Sequence, residues 1–481
     1  MRTKETIVAI STPHGVGGIA VARLSGPDAL SIAEKHLSPL TSHLSPRHAT
    51  YCTFFSSSPE TGEGDRRKAV GEGYDNTIPL DDVVAVYFPK GYTGEPTVEI
   101  SCHGSLYVQQ ALLQALVDDG ARLAEPGEFT QRAFLNGRLD LSQAEAVADL
   151  IDSVTPAQHR LAVSQLRGGY AQNLKDLRQQ LLDLTSLLEL ELDFSQEDVE
   201  FADRTQLRNL LSSLLTQLST LIASFKMGNA LKRGVPVAII GSPNAGKSSL
   251  LNALLGDDRA IVSDVPGTTR DTIEELFVLD GVTFRFIDTA GLRHSDDIVE
   301  AMGIERSRKA IADAHLVIFV HDVTTLWHEP ALDLSDKKVL VVLNKSDLPT
   351  HSSLITPHSS LITPHSSLLT PHSSLLTPHS IPLSAKTGKG LDALRTAMVE
   401  AVKSDMPQDD SILLTNARHY EAMCRVKEAL LHVSEGLDGG MPSDLVAVDL
   451  RDALYHLGTI TGEVSSDEVL GNIFSRFCIG K

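Results

Sequence analysis

The stretch GSPNAGKSS, Gly241 to Ser249, constrains the fold of this chain more than any other. It follows the apolar run Val235 to Ile240 and leads into LLNALL, so it reads as buried strand, tight loop and helix. That context is what a phosphate-binding loop requires. Gly241 and Gly246 permit tight turns, the amides around Asn244 and Ala245 point inward, and the helix opening near Lys247 offers its positive end. In such a loop Lys247 reaches the β- and γ-phosphates, the Ser248 hydroxyl sits on Mg2+, and Ser249 continues into the helix.

Residues 235–403 alternate apolar strands with helices, which predicts an open parallel α/β sheet. Its strands fall at Val235–Ile240, Leu276–Val278, Thr283–Asp288, Leu316–Val320 and Val339–Leu343. Further motifs follow in the order a guanine-nucleotide switch needs. DVPGTTRD, Asp264 to Asp271, offers Thr269 as a second Mg2+ hydroxyl, with Thr268 beside it. In DTAG, Asp288 holds the Mg2+ shell and the Gly291 amide meets the γ-phosphate. In NKSD, Asp347 accepts from N1 and the exocyclic amine of guanine, which adenine cannot donate; Asn344 braces the pocket, with Lys345 between them. SAKTG supplies backbone donors to the guanine oxygen from Ser384, Ala385 and Lys386. The residue after DTAG is Leu292, which can neither donate nor accept. The attacking water must therefore be placed by another group, either an acid further along or a cation standing in for an arginine finger.

The chain of 481 residues is too long for one core, and its 42% hydrophobic content suits several. A formal charge of −20 excludes bulk attraction to a polyanion, though a local basic patch could still hold nucleic acid. Cys52, Cys102, Cys424 and Cys478 show neither metal-ligand spacing nor a disulfide framework, so a reducing, cytoplasmic setting is expected. The amino terminus is too weakly apolar for a signal peptide, and no uncharged apolar run of 18 residues predicts a membrane span.

Before the phosphate loop, strands at Ile7–Ile10, Ile19–Leu24, Asp82–Phe88 and Thr97–Ser101 precede a helix ending at Gly120, which predicts an α+β domain over 1–127. Residues 56–77 read as an exposed polar loop. Helices follow over 128–232, including a segment opened by Pro156 that runs to Leu192 and a long helix over 205–232. Helices return over 404–481, in segments at 412–435, 443–458 and 466–478, with Ser443 and Ser465 or Ser466 as N-caps. The economical packing is one discontinuous all-helical domain built from both flanks, with the α/β module of 233–403 inserted into it. Within that module the unit TPHSSL recurs at a heptad period over 350–380. A proline in each unit excludes a continuous helix, so the tract reads as a surface insert.

The blocks IAVARLSGP, CHGS, PGEFTQRAFLNGRLDLSQAEAVADLI, GSPNAGKSS with PGTTRD, DTAGLR and the closing IFSRFCIGK give the chain a full-length resemblance to the tRNA modification GTPase MnmE (TrmE) family. The resemblance implies an amino-terminal folate-binding and dimerisation domain, a discontinuous helical domain and an inserted P-loop GTPase domain. It implies a homodimer that, with the FAD-dependent flavoprotein MnmG, installs an aminomethyl or carboxymethylaminomethyl group at C5 of the tRNA wobble uridine. The one-carbon donor implied is 5-formyltetrahydrofolate or a related tetrahydrofolate. It also implies a K+ site at Asn244, Ser263, Val265 and Thr268, and Glu300 as the acid that orients water. The matching folate residues are Arg23, Glu95, Arg138 and Lys481, while Cys478 matches a cysteine proposed as reactive. The family more often has Lys where Arg138 stands and TGED where TGEP stands, so Pro96 removes an acid and a backbone donor. A GTP-dependent ribosome-assembly or signalling protein would share the phosphate loop, DTAG and NKSD. The amino-terminal block and the FCIGK tail separate the two readings and favour tRNA modification.

Overall fold

The computed structural model describes residues 5–39, 43–57, 77–194, 204–256, 275–287, 308–326, 334, 337–350, 380–403, 413–475, 477 and 480. They divide into two compact units. One holds Met1–Ala148, Gln165–Arg178 and Tyr455–Lys481; the other holds Asp149–Ser164 and Gln179–Leu454.

In the first unit β1 (Ile7–Ile10), β2 (Gly17–Ser25), α1 (Ala29–Glu34), β3 (Leu37–Ser38), β4 (Ala49–Ser57), β5 (Thr77–Phe88), β6 (Thr97–Gly104), α2 (Leu106–Asp118) and β7 (Arg122–Leu123) come first. The strands form one sheet in the order β3-β4-β5-β6-β2-β1-β7, antiparallel except where β1 meets β7. Alternation sorts the strand residues between its faces. Val8, Ile10, Ala20, Ala22, Leu24, Val98 and Ile100 share one core with Ile32, Leu112 and Leu116 of the helices. Ile7 and Ala9 turn the other way and meet Phe129 of α3 (Glu128–Leu135). Arg23, Ser25 and Glu99 therefore lie on that second face.

The sequence reading overlooked α1, β3 and β4, whose short apolar runs are interrupted by polar residues. It also set the 56–77 loop slightly wide, because β4 continues to Ser57 and β5 begins at Thr77; residues 58–76 lie outside the described residues.

The helical stretch begins with α4 (Leu141–Asp152), α5 (Pro156–Leu166), α6 (Gly169–Phe194) and α7 (Arg204–Arg233). The expected single segment from Pro156 is two helices, because Gly168 takes φ +87, a left-handed stop that only glycine adopts at little cost. Within the α/β module lie α8 (Lys247–Leu255) and α9 (Leu391–Lys403), and after it come α10 (Ala417–Asp438), α11 (Ser443–Thr461) and α12 (Asp467–Phe474). The Asn416 side chain accepts from the Arg418 amide at the start of α10, and Ser466 accepts from Val469 at the start of α12. Leu141, Ala144, Leu470, Phe474 and Phe477 make a small core that joins α12 to α4 in the first unit.

In the second unit, helices from the two flanks of the α/β module pack on each other. Phe225 of α7 stacks on Tyr420 of α10 with centroids 4.3 Å apart. Ser224 Oγ accepts from the Leu414 amide at 3.0 Å, and Gly228 makes room for the Leu414 carbonyl. The helical fold is thus discontinuous in sequence. By length and composition, Leu207–Arg233 of α7 could cross a membrane. Its leucines at 207, 211, 214, 218 and 221 are all buried, whereas Ser212, Ser213, Thr216 and Thr220 are exposed, which is an amphipathic pattern.

The inserted module has β8 (Val235–Ile240), β9 (Glu275–Leu279), β10 (Val282–Phe286), β11 (Leu316–Asp322), β12 (Lys338–Asn344) and β13 (Ile381–Pro382). The strand order is β13-β12-β11-β8-β10-β9, parallel throughout except at β9. Both faces are covered: Val237, Phe284, Ile318, Leu340 and Val342 belong to one core, and Ala238, Ile240, Val317, Phe319 and Val341 to another. The strand order reverses at β8, so a crevice opens beyond its carboxyl end, where open α/β sheets bind ligands.

Candidate guanine-nucleotide site and folate pocket

The loop between β8 and α8 fills that crevice. Gly241 (φ +150) and Gly246 (φ +93) take backbone conformations that side chains resist. A Cβ on Gly241 would lie 2.2 Å from the Val320 carbonyl oxygen, and one on Gly246 would lie 2.2 Å from Asn344 Nδ2. Asn244 is exposed at φ +63, a conformation asparagine tolerates better than most residues. Lys247 Nζ donates to the Gly241 and Ser242 carbonyls, each at 2.8 Å. Burial pushes its pKa down, and the negative charge of a bound triphosphate would favour the ammonium form again. Ser248 and Ser249 lie in the first turn of α8, whose leading amides have no partner within the helix.

Asn344, only 2% exposed, ties the three binding segments together. Its Nδ2 donates to the Ala245 carbonyl at 2.8 Å, and its Oδ1 accepts from the Ala385 amide at 3.0 Å. One side chain thus joins the phosphate loop, the NKSD turn and the SAKTG turn. Lys345, at φ +62, pairs through Nζ with Asp322 at the end of β11. Asp322 also accepts from the Thr324 amide and hydroxyl at 2.9 and 2.7 Å. Sequence reasoning missed Asp322; an acid closing the apolar strand LVIFVHD was the available signal. Asp347 is exposed, and the Ser384 hydroxyl first, with Lys386 adding least, holds its carboxyl below the ordinary aspartate value. It presents an ionised acceptor for two N–H donors on one ring edge. Ser384 is fully buried and anchors the turn by accepting from the Thr387 amide, while its own amide donates to the Lys389 carbonyl.

The structure therefore brings together Asn244, Ala245, Gly246, Lys247, Ser248, Ser249, Asn344, Lys345, Asp347, Ser384, Ala385 and Lys386. Ser263, Val265, Thr268, Thr269, Asp288, Gly291, Leu292 and Glu300 lie outside the described residues, as does the 351–379 part of the repeat tract.

A second cluster occupies the α3 side of the amino-terminal sheet. Arg23 Nε donates to Glu99, its partner across β2 and β6, at 2.8 Å. The guanidinium lies 5.5 Å from the Tyr92 ring centroid and 5.8 Å from that of Phe129. Glu95 Oε2 accepts from Ser25 at 3.1 Å and from Arg132 at 3.2 Å. Arg138 is exposed beside Gly94, where a Cβ would come within 3.1 Å of its side chain. Pro96 still contributes an acceptor, since its carbonyl takes the Gly26 amide at 3.0 Å. Arg23, Glu95 and Arg138 thus surround one turn, 91–96. Lys481 and Cys478 lie outside the described residues, but Gly480 is held on β1's outgoing turn, its carbonyl accepting from Ser11 Oγ at 3.2 Å. Tyr92, Phe129 and Arg132 went unnoticed in the sequence because nothing local marks them as facing Arg23 and Glu95.

An ionised acceptor at Asp347 beside the SAKTG turn, joined through Asn344 to a glycine-bounded loop at the reversal of a parallel sheet, is the arrangement of a P-loop GTPase, here one whose G domain is inserted between helical segments. The neighbouring segments narrow the class. The family model for the GTP-binding protein TrmE N-terminus matches residues 6–138, and that for the MnmE helical domain matches 141–478. The tRNA modification GTPase MnmE of Parabacteroides distasonis is 48% identical, over 99% of this chain and all of that one. The corresponding protein of Cytophaga hutchinsonii is 45% identical over 99% of this chain and 98% of its own. Among solved structures, the G domain of the T. maritima FeoB iron transporter is 26% identical over 35% of this chain and 98% of its own, with a TM-score of 0.23. The chain belongs to the MnmE family of tRNA modification GTPases.

Proposed function

We propose that this chain is a K+-activated, Mg2+-dependent GTPase that works as a homodimer on tRNA in the cytoplasm. With the FAD-dependent partner MnmG it installs an aminomethyl or carboxymethylaminomethyl group at C5 of the wobble uridine, using 5-formyltetrahydrofolate or a related tetrahydrofolate. The domains of this reading are 1–127 for folate and dimerisation, 128–232 with 404–481 for the helical domain, and 233–403 for GTP. The observation that carries it is the Asn344 carboxamide, hydrogen-bonded to both the phosphate loop and the SAKTG turn, in a chain with the MnmE amino-terminal domain attached.

Each residue then has defined work. Asp347 reads guanine, and Asn344 keeps base and phosphate subsites in register. Lys247 sets positive charge against the β- and γ-phosphates, where negative charge grows in the transition state. Ser248, Thr269 and Asp288 would hold Mg2+, which supplies charge against the triphosphate. Asn244, Ser263, Val265 and Thr268 would hold K+, an all-oxygen donor set that suits a hard cation and supplies the charge of an arginine finger. Glu300 orients the attacking water through the switch network, a task Leu292 cannot perform. Arg23, Glu95, Arg138 and Lys481 would contact the folate, and Cys478 would pack beside it.

Mass spectrometry of wobble uridine tests this reading, in cells lacking the protein and complemented with wild type or Lys247→Ala. Modification restored by the wild type alone supports it; restoration by both removes the coupling to GTP. Hydrolysis should also run faster in K+ than in Na+, and equal rates would remove the cation's role.

A further inference from the structure

Behind Glu95 lies a chain of alternating charge that the nucleotide chemistry does not use. Glu5 Oε2 accepts from Arg122 Nε at 2.8 Å, and Arg122 forks onto Glu128 at 2.6 and 3.1 Å. Glu128 Oε1 also accepts from Arg132 at 3.0 Å, and Arg132 reaches Glu95 Oε2 at 3.2 Å. Arg132 donates a further bond to the Glu5 carbonyl at 2.9 Å. Side-chain exposure falls from 48% at Glu5 to 4% at Arg132, then rises to 16% at Glu95. A buried guanidinium needs its charge matched, and this one is matched on two sides.

The two oxygens of Glu95 are used unequally. Oε2 takes both Arg132 and Ser25, and Ser25 is itself fixed by Thr93 at 2.6 Å. Oε1 has no partner among the described residues. Ser25 and Arg23 stand two residues apart on one face of β2, roughly 7 Å along the strand. Among the described residues Arg23 is anchored by Nε alone, which leaves its two terminal nitrogens to donate beside the Tyr92 and Phe129 rings. An acceptor and a donor fork, spaced along a wall with aromatic faces, suit a flat heteroaromatic ring that offers N–H groups on one edge and an oxygen on another.

We infer that Arg132 is a positioning residue of this pocket: it pins Oε2 of Glu95 and so aims Oε1 at the N–H edge of the ligand ring. The inference rests on the folate reading of the pocket. Arginine is needed because only its planar fork reaches Glu95 and Glu128 at once; lysine keeps the charge and loses one arm.

The test is calorimetric titration of 5-formyltetrahydrofolate into the full-length wild type, Arg132→Lys, Glu95→Gln and the double variant, with thermal melting of each. Arg132→Lys should weaken binding about tenfold, the loss of one charge-assisted contact. In the Glu95→Gln background it should weaken binding no further, because its effect passes through Glu95. Should Arg132→Lys melt too low to titrate, Glu128→Gln releases the same guanidinium from the far side and should weaken binding by a smaller factor. Losses that add in the double variant, or wild-type affinity in Arg132→Lys, overturn the inference while leaving the folate reading intact. A wild type that does not bind the folate overturns that reading instead, and the inference with it.

Discussion

The six-stranded sheet of the G domain and the seven-stranded amino-terminal sheet position their polar groups in different ways. In the G domain five strands run parallel, both faces are buried, and the polar work is done by loops that leave one edge. Each loop is contiguous in sequence, so GSPNAGKSS, NKSD and SAKTG arrive as complete units. In the amino-terminal sheet the ladder is mostly antiparallel, and one face itself carries the polar groups. Arg23, Ser25 and Glu99 alternate there with Ala22, Leu24, Val98 and Ile100, which serve the core. The lesson is that a loop site depends on local backbone geometry, whereas a sheet-face site depends on register and on helices packed across it.

The variants that sharpen this contrast differ in expected size. Gly246→Ala should have the largest effect, because it meets both a φ of +93 and a contact 2.2 Å from Asn344. GTP affinity should fall about a hundredfold or more, measured by fluorescent-nucleotide titration, since left-handed backbone and a displaced buried amide each cost on the order of 1–3 kcal/mol. Wild-type affinity in this variant would mean that the loop is not locked through Asn344.

Asp347→Asn should come next. It loses the ionised acceptor for guanine, and discrimination of GTP over ATP should fall by about a hundredfold or more in competition binding. Unchanged preference would remove NKSD from the base site.

Gly127→Ala probes the other region. Gly127 sits at φ +69, and a Cβ there would lie 2.5 Å from the Phe474 carbonyl oxygen. The melting transition of the amino-terminal unit should drop by a few degrees, for a cost of about 1–2 kcal/mol, while GTP affinity stays put. A parallel loss of GTP affinity would break the distinction between the two regions.

Smallest is an acid effect at Glu128. Burial alone would push its carboxyl up, but Arg122, the Glu125 amide and Arg132 together hold it below its ordinary value of 4.5. A depressed carboxylate adds stability above its unfolded pKa and loses it as pH falls through the folded one. Stability should therefore decline below about pH 4.5 in wild type, and Glu128→Gln should start lower at neutral pH and show a flatter acid limb in melting curves. An unchanged acid limb would show that the charge chain does not contribute to folding.

What the sequence determined by itself was whatever short-range geometry dictates. The phosphate loop needs glycines at two fixed places between a strand and a helix, and NKSD and SAKTG each follow their own strand, so the three segments that meet around Asn344 were legible as loops before their contacts were known. The helix caps at Ser466 and Asn416 and the stop at Gly168 are equally local, though only the first was read. Discontinuity of the helical domain was also legible, because amphipathic periodicity on both flanks demands a partner.

Tertiary structure alone decided which residues meet across long separations. The acid that closes LVIFVHD marks Asp322 but not its bond to Lys345, and nothing near Arg132 signals that it forks between Glu95 and Glu128. β3 and β4 became strands through pairing with neighbours, against weak local patterns. The physical reason is that a side chain's surroundings on a sheet face are set by strand register and crossing helices, which bring together residues that share no local motif.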